Sequence, residues 1–283
     1  MNTRGYFSKT MLGLGFAFLY VPIILMVAFS FNASKSVTTW SPDSPSLRWY
    51  HQLFQDDQIL SAAWVSIQVA AMSATGAVVL GTLTGLVLAR FGPFRGRALL
   101  RGMATAPLVM PEVITGLSML LLFVALEQFM KFVFGWQFDR GMATITIAHV
   151  TFTMAYVTVV VQSRLASFDD SLEEAAMDLG ARPAKVFFRI TVPLILPAIL
   201  SGWLLAFTLS WDDLVVTQFV SGPGSNTLPM VVFSRVRLGA NPVVNALATI
   251  MVLIVALGVV LSAVLMRRQE QRRKREEQMA VSG

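Results

Sequence analysis

The chain has 283 residues, of which 55% are apolar and only 13% are charged, whereas about 25% of residues are charged in an ordinary soluble domain. Its mean hydropathy is +0.66 and its formal net charge is +6. These values exclude an intrinsically disordered chain and disfavour a soluble single domain, which has too little interior to bury so much apolar surface. The absence of cysteine excludes disulfides, thiolate zinc sites and cysteine nucleophiles.

Six apolar stretches are long enough to cross a hydrocarbon core of about 30 Å as helices. Barrel strands are excluded because these runs are about twice the length of such a strand and do not alternate. The first run, of 21 residues, exceeds the roughly 7–15 apolar residues of a signal peptide, so we interpret it as an uncleaved helix. The predicted spans are 11–31, 61–89, 103–126, 142–162, 194–217 and 243–266, which give a transmembrane domain over 1–266 and a basic tail over 267–283.

The second and third spans carry signals about helix geometry. Gly81 and Gly85 lie one helical turn apart, a spacing that permits close approach of a neighbouring helix. Pro107 and Pro111 precede Glu112, and two prolines so close together predict a broken or kinked helix at that point. Polar groups beside broken helices commonly line a transport path.

Lysine and arginine are divided unevenly between the two sets of connecting segments. The N-terminus, segments 90–102 and 163–193, and the tail together contain 16 of the 22 basic residues, and the other segments contain 6. Because an excess of Lys and Arg marks cytoplasmic loops, we predict that both termini are cytoplasmic. The basic residues are thereby explained as topology determinants, with the tail touching anionic lipid, and no nucleic-acid partner is expected.

The long cytoplasmic segment 163–193 is the least membrane-like part of the chain. Ser171 and Glu174 have the spacing of a capping box, and apolar residues follow at positions that share one face of a short helix. Gly180 is a natural terminator of that helix, and Pro183 can begin a second short helix that reaches about Thr191. The sequence therefore predicts a helical hairpin over 171–191, which either rests on its own bundle or docks on a partner.

The same segment carries a recognisable motif. Glu174-Ala175-Ala176-x-x-x-Gly180, followed after nine residues by Ile190-x-Val192-Pro193, resembles the EAA motif of permease subunits in binding-protein-dependent ABC importers; the family usually has Leu where Val192 stands. The resemblance implies that this loop is the coupling helix that docks on a cytoplasmic ATPase subunit. It assigns that role to Glu174, Ala175, Ala176 and Gly180.

Sequence motifs for catalysis and for nucleotide or metal binding are absent. No Gly-Lys-Ser/Thr of a phosphate-binding loop occurs, so any ATP-Mg must be bound by partner ATPase subunits. Neither a His-Glu-x-x-His zinc motif nor a Gly-x-Ser-x-Gly elbow is present, so we predict no catalytic residue, metal site or cofactor in this chain. His149, within the fourth span, is more typical of a side chain hydrogen-bonded into the bundle than of a proton relay.

Three carboxylates, Glu112, Asp212 and Asp213, lie inside or at the edge of predicted spans. A carboxylate at a helix centre costs about 2.5–3.5 kcal/mol in a membrane. No Lys or Arg lies inside a span, so we expect the partner of these acids to be water, another subunit or a cationic substrate. Nearby aromatic residues suit an ammonium group through cation–π attraction: Tyr156, Trp203, Phe207 and Trp211. The alternative is that Asp212 and Asp213 are hydrated at the external interface and merely structural.

Further short motifs resemble the polyamine permeases of the same family, in particular the putrescine/spermidine type. They are Ser30-Phe31-Asn32, Trp40, Trp49-Tyr50, Ser210-x-Asp212-Asp213, Thr217, Phe219, Ser221-Gly222-Pro223-Gly224, Thr227-Leu228-Pro229 and Asn245-Ala246-Leu247. Glu112 departs from the subfamily, where we would expect Asp. The charge is the same, but the side chain is longer by one methylene.

The resemblance implies an all-α membrane protein with six transmembrane helices, the MetI-like bundle of type I ABC-importer permeases, in the bacterial inner membrane. It also implies a second homologous permease, two cytoplasmic ATPase subunits and a periplasmic polyamine-binding protein as partners. The substrate pathway would contain Glu112, Tyr156, Trp203, Trp211, Asp212 and Asp213. Three alternatives stay open: an importer of another small solute such as an amino acid or a metal complex, a passive cation channel with the acids as a selectivity ring, and a membrane enzyme built on an acid pair.

Overall fold

The computed structural model describes residues 3–36, 39–137, 139–167, 169, 171–239, 241–258, 260, 261 and 264, and within these ranges it contains helices and no β-strand. The helices are joined in two places by shorter helical turns, a 3₁₀ turn at Ala106–Leu108 and a π-helical turn at Phe187–Thr191. The helices are α1 (Thr3–Ser30), α2 (Arg48–Phe54), α3 (Asp57–Arg90), α4 (Arg97–Thr105), α5 (Glu112–Phe134), α6 (Met142–Ala166), α7 (Ser171–Asp178), α8 (Pro183–Val186), α9 (Val192–Trp211), α10 (Val215–Val220), α11 (Leu228–Leu238) and α12 (Pro242–Gly258).

Five helical segments among the described residues are long and apolar enough to span a membrane. These segments are Phe7–Ser30, Asp57–Arg90, Glu112–Phe134, Met142–Ala166 and Pro183–Trp211. Helix α12 is apolar but shorter, and the predicted sixth span, 243–266, runs on into positions that lie partly outside the described residues. The sixth span therefore stays a prediction, and the tail 267–283 lies wholly outside the described residues.

The third predicted span is displaced towards the C-terminus. Instead of a helix over 103–126, a short helix ends at Thr105, the 3₁₀ turn follows, and the long apolar helix runs from Glu112 to Phe134. The physical reason is the proline pair: each proline lacks an amide hydrogen and its ring clashes with the preceding helical turn. The predicted break before Glu112 is confirmed. We did not predict that α5, the helix after the break, continues past position 126 to Phe134.

The helical hairpin also differs from the expectation that its second helix is separate. Helix α8 begins at Pro183 as predicted. The predicted second helix does not end at Thr191, because α8 and the π-helical turn continue directly into α9. The ring of Pro193 would clash with the carbonyl four residues earlier in a regular α-helix, and the wider turn lies immediately before it. The result is one continuous helical segment from Pro183 to Trp211.

The chain divides into two compact units, one formed by 1–57 with 232–283 and the other by 58–231. In the second unit, α3, α6 and α9 share a buried cluster of mostly small and β-branched side chains: Ala74, Ala77, Val157, Val161, Leu165, Ile195 and Ala206. A β-carbon added at Gly81 would lie 2.8 Å from Cβ of Val157, and one added at Gly85 would lie 3.2 Å from the carbonyl oxygen of Thr158. The close approach that this spacing permits is present at both glycines, and the neighbouring helix is α6.

A second buried cluster in the same unit joins α3, α5, α6 and α10. Its members are Val69, Phe123, Ile145, Ala148, Val216 and Val220. Gly116 of α5 lies directly under the ring of Phe219, where an added β-carbon would be 2.5 Å from the ring carbon Cδ2. Thr144 at the start of α6 donates its hydroxyl to the carbonyl of Val220 at 2.7 Å. These contacts fix α10 against α5 and α6, and thereby fix the segment 212–214 that precedes α10.

In the first unit, Asn32 organises the loop between α1 and α2. Its side-chain oxygen accepts the Ser41 amide at 2.9 Å, its amide donates to the Thr39 carbonyl at 2.7 Å, and its backbone carbonyl accepts the indole N–H of Trp49 at 2.6 Å. Arg235 forms a bidentate pair with Asp56, with N···O distances of 2.6 and 2.8 Å. Two residues that carry the polyamine-permease resemblance, Asn32 and Trp49, therefore connect distant parts of this loop.

Candidate functional site

A cavity of about 500 Å³ lies beside the break that precedes α5. The 3₁₀ turn, the first turn of α5, α6, the end of α9 and the start of α10 form its walls. Its lining residues are Pro107, Leu108, Met110, Pro111, Glu112, Thr115, Phe152, Tyr156, Leu209, Asp212, Asp213, Leu214, Val215 and Val216. The structure thus brings together all three acids that the sequence placed near the membrane, although 100 residues separate Glu112 from Asp212.

Glu112 owes its position to the broken helix. Pro111 has extended geometry, with φ −58° and ψ 133°, and α5 begins at the next residue. The carboxylate of Glu112 therefore belongs to the first turn of α5, where the unpaired N–H groups and the helix dipole favour a negative charge. Tyr156 and Phe152, on α6, bring aromatic side chains to the same cavity.

Asp213 has partners inside the chain. Its Oδ2 accepts the backbone N–H and the hydroxyl of Thr217, both at 2.7 Å, and Nε2 of His149 lies 3.2 Å from the same oxygen. Its Oδ1 accepts the Val216 amide at 3.3 Å. The expectation that all three acids find their partner outside the chain is wrong for Asp213, because it considered only Lys and Arg as possible partners and left out His149.

His149 is fully buried and links three elements. Its Nδ1 lies 2.7 Å from the hydroxyl of Ser210 and its Nε2 lies 3.0 Å from the hydroxyl of Thr217. Because Thr217 donates its hydroxyl hydrogen to Asp213, it can only accept from Nε2, and a carboxylate also only accepts. A neutral ring with its hydrogen on Nε2, and with Nδ1 accepting from Ser210, satisfies all of these contacts. This arrangement agrees with our interpretation of His149 as a side chain hydrogen-bonded into the bundle.

Asp212 differs from its neighbour in its surroundings. It caps the C-terminal end of α9, with its backbone N–H donating to the carbonyl of Thr208 at 3.2 Å, and its side chain is exposed, whereas Asp213 is partly buried. Glu112 is exposed as well. The cavity therefore presents the carboxylates of Glu112 and Asp212 to whatever enters it, while Asp213 is held by His149 and Thr217.

The two tryptophans that we assigned to the pathway lie outside the cavity lining. Trp203, Phe207 and Trp211 form a column along α9, with ring centroids 5.3 and 6.1 Å apart. The indole N–H of Trp203 donates to the hydroxyl of Thr75 on α3 at 3.2 Å. The spacing of four residues places these rings on one side of the helix, and the cavity acids lie beyond its end.

The segment that carries the EAA motif forms α7 and the turn after it. The amide of Gly180 donates to the carbonyl of Met177 at 2.9 Å, and the amide of Ala181 donates to that of Ala176 at 3.0 Å. With Gly180 at φ +82°, this is a Schellman motif, which requires a left-handed residue at that position. The predicted helix terminator is confirmed, and the side chains of Glu174 and Ala175 are exposed.

Two further groups near this helix escaped the sequence analysis. Glu173 lies between Arg90 and Thr191, with distances of 3.3 Å and 2.7 Å, and the amide of Ser171 donates to Asp169 at 3.0 Å, which lowers the pKa of that exposed carboxyl group. Among the described residues, no group of three or more His, Asp or Glu side chains is arranged to hold a metal ion.

Comparison with protein families and with curated proteins gives a consistent result. Residues 77–275 match the family described as "Binding-protein-dependent transport system inner membrane component". The chain is 57% identical over 270 residues to the putrescine transport system permease protein PotI of Escherichia coli (strain K12), covering 95% of this chain and 94% of that protein. It is 40% identical over 266 residues to the spermidine/putrescine transport system permease protein PotC of Haemophilus influenzae, covering 94% and 98%.

Two solved structures resemble the chain in fold. One is a bacterial ABC transporter involved in the import of the acidic polysaccharide alginate, with a TM-score of 0.70, 18% identity, and coverage of 91% of this chain and 95% of that chain. The other is the MetNI methionine ABC transporter in inward-facing conformations, with a TM-score of 0.56, 15% identity, and coverage of 72% and 92%. The predicted all-helical fold class, that of type I ABC-importer permeases, is thereby confirmed.

Proposed function

We propose a function for this chain on the basis that it belongs to the family of binding-protein-dependent transport system inner membrane components. We infer that it is the membrane-spanning permease subunit of an ATP-driven importer of a polyamine such as putrescine or spermidine. The structural observation that supports this assignment is the cavity lined by Glu112, Asp212 and Asp213. The names of the two related permeases above support the same cargo.

The chemistry of the cavity fits a flexible chain with an ammonium group at each end. Glu112 and Asp212 supply two exposed carboxylates from different helices, so each can pair with one ammonium group. The aromatic faces of Phe152 and Tyr156 in the same lining add cation–π attraction. Apolar side chains such as Leu209 and Val215 complete the lining and suit the methylene groups between two charges.

Energy has to reach this cavity from outside the chain, whose sequence has no phosphate-binding loop. Helix α7, with Glu174, Ala175, Ala176 and Gly180, provides the docking element for an ATPase subunit. The helical segment Pro183–Trp211 begins close to α7 in sequence and ends next to Asp212. At about 1.5 Å per residue, its 29 residues span roughly 43 Å. A displacement of the docking element can therefore tilt α9 and move the cavity acids, which is rigid-body switching of access.

The assembly that we propose contains this chain, a second homologous permease, two cytoplasmic ATPase subunits and a periplasmic polyamine-binding protein in the bacterial inner membrane. Both termini lie in the cytoplasm, as the uneven distribution of Lys and Arg indicates. The apolar surface of α1 is exposed from Phe7 to Leu25, which supports contact with lipid or with another subunit. ATP-Mg binds to the partner ATPases, and nucleic acid has no part in the function.

Uptake of radiolabelled putrescine into cells tests the role of the cavity. We expect Glu112→Gln and Asp212→Asn each to lower uptake at subsaturating putrescine by about tenfold or more, because a hydrogen bond to a charged group is worth about 1.5–3 kcal/mol. Glu127→Gln is the matched control, since Glu127 lies on the same helix but outside the cavity lining. Wild-type uptake in both cavity variants, at equal amounts of protein in the membrane, would show that these two acids do not contribute to the transport pathway.

Gly180→Val tests the docking role of α7. A β-branched residue is strongly disfavoured at φ +82°, so the end of α7 has to rearrange while the apolar helices remain. We expect normal insertion into the membrane, loss of transport and reduced co-purification of the ATPase subunit in detergent. Full transport together with unchanged co-purification would show that this turn does not contribute to docking.

A further inference from the structure

Glu173, in α7, contacts residues of two other helical elements of the second unit. Its Oε2 lies 3.3 Å from Nε of Arg90, the last residue of α3, and its Oε1 accepts the hydroxyl of Thr191 at 2.7 Å. Thr191 is buried and closes the π-helical turn that leads into α9. The side chains of Arg90 and Glu173 are only 15% and 18% exposed, so water screens this pair less than it screens a surface pair.

Helix α7 has little apolar attachment of its own. None of its eight residues, all of which the structure describes, is buried, and the side chains of Leu172 and Met177 are exposed. An eight-residue helix is too short to be stable by itself. The two polar contacts of Glu173 therefore attach α7 to α3 and to the π-helical turn.

We propose that Glu173 is the positioning residue that transmits movement of α7 to both α3 and α9. This inference rests on the proposed function, and it assigns to Glu173 a role different from that of its exposed neighbour Glu174. One carboxylate oxygen of Glu173 contacts the end of α3, a helix that packs closely against α6 at Gly81. The other carboxylate oxygen contacts Thr191, near the beginning of the helical segment that ends beside Asp212. A displacement of α7 thus reaches both helices at once.

The test compares ATP hydrolysis and putrescine uptake by the assembled transporter, purified through a tag on this chain and reconstituted into liposomes. We expect Glu173→Ala to keep ATP hydrolysis within about twofold while uptake per ATP falls about tenfold, within the range of 5- to 150-fold that site–site coupling usually supplies. Glu173→Gln should fall between the two, because its neutral amide can still accept a hydrogen bond from Thr191 but cannot form an ion pair with Arg90. Asp178→Ala is the control, since Asp178 is an exposed carboxylate on the same helix.

A charge exchange separates coupling from local folding. The single variants Glu173→Arg and Arg90→Glu should each lose coupling, and the double variant should regain at least half of it, because the ion pair is restored with its charges reversed. A residue that only supports the fold of α7 would not show this recovery in the ratio of uptake to hydrolysis. A wild-type ratio in Glu173→Ala, or no recovery in the double variant, would overturn the proposal.

Amide hydrogen exchange of the assembled transporter gives a readout that does not depend on the cargo. We expect the amides of α7 to exchange at least about tenfold faster in Glu173→Ala than in the wild type, with no change in Asp178→Ala. If the wild-type transporter imports no putrescine, the proposed function fails. The exchange measurement still tests whether Glu173 attaches α7 to the rest of the unit. Unchanged exchange in Glu173→Ala would refute it.

Discussion

Replacing His149 by Leu removes the ring that links α6, the end of α9 and α10, and leaves a side chain of similar volume. Three hydroxyl or carboxylate groups lose a partner at once: Ser210 at 2.7 Å, Thr217 at 3.0 Å and Asp213 at 3.2 Å. His149 is fully buried, so water cannot simply take its place. We therefore expect this single change to destabilise the second unit without altering the predicted membrane spans.

The size of this loss of stability depends on which hydrogen bonds Asp213 keeps in the His149→Leu variant. Removing the donor of a hydrogen bond to a charged group costs about 1.5–3 kcal/mol. Asp213 retains the backbone amides of Val216 and Thr217 and the Thr217 hydroxyl, but the Ser210 hydroxyl loses its partner as well, so we expect a loss at the upper end, about 3 kcal/mol. With a shift of about 2–4 °C per kcal/mol for chains of this order of length, the melting temperature should fall by roughly 6–12 °C.

Thermal unfolding of the purified chain in detergent, followed by size-exclusion fluorescence, measures this shift. The double variant His149→Leu with Asp213→Asn should recover part of the loss and show a coupling energy of about 1–3 kcal/mol, because the neutral amide costs less to leave without the histidine. His51→Leu is the control, since His51 is exposed in α2, and should change stability by less than about 0.5 kcal/mol. Additive effects of the two substitutions within about 0.5 kcal/mol would show that His149 does not hold Asp213.

Three further predictions test packing and orientation. Gly81→Val should cost at least about 1–3 kcal/mol by overpacking against α6, measured by the same unfolding assay, and a neutral effect would contradict the close helix contact. Gly116→Val should be destabilising in the same way and should be partly rescued by Phe219→Ala, which vacates the ring position; equal stability of the single and double variants would contradict the contact. Because the chain has no cysteine, Ser41→Cys should react with an impermeant maleimide in intact cells and Arg95→Cys only after permeabilisation, and the opposite pattern would reverse the predicted orientation.

Local signals in the sequence predict much of the architecture. The proline pair before Glu112 predicts the broken helix because proline cannot make the intrahelical hydrogen bond, and the break is present. Gly180 predicts the end of α7 because a Schellman motif needs a left-handed residue. The spacing of Gly81 and Gly85 permits close packing, but it does not indicate whether a helix approaches or which one.

Contacts between distant segments could not be predicted in the same way. His149 and Asp213 are 64 residues apart, and Arg90 and Glu173 are 83 residues apart, so no periodicity or spacing connects either pair. The signal that was available is chemical: a histidine inside an apolar helix requires a hydrogen-bonding partner, and Asp213 is one of few candidates. The continuity of α8 with α9 was missed because proline usually interrupts a helix, whereas here the π-helical turn accommodates it.

The contrast between Asp213 and the other two acids bears on the choice of cargo. A carboxylate costs up to about 2.5–3.5 kcal/mol at the centre of a membrane helix, and Asp213 offsets that cost with partners from its own chain. Glu112 and Asp212 are exposed to the cavity instead, whose volume of about 500 Å³ corresponds to roughly 17 water molecules at about 30 Å³ each. On the proposed function, a cargo molecule that enters the cavity has to replace this hydration. A diamine brings two ammonium groups to two carboxylates, whereas an amino acid brings a carboxylate of its own that both acids repel.

Competition by free amino acids should therefore leave putrescine uptake unchanged, while competition by other diamines should reduce it. Strong inhibition by amino acids alone would contradict the assignment of a polyamine cargo.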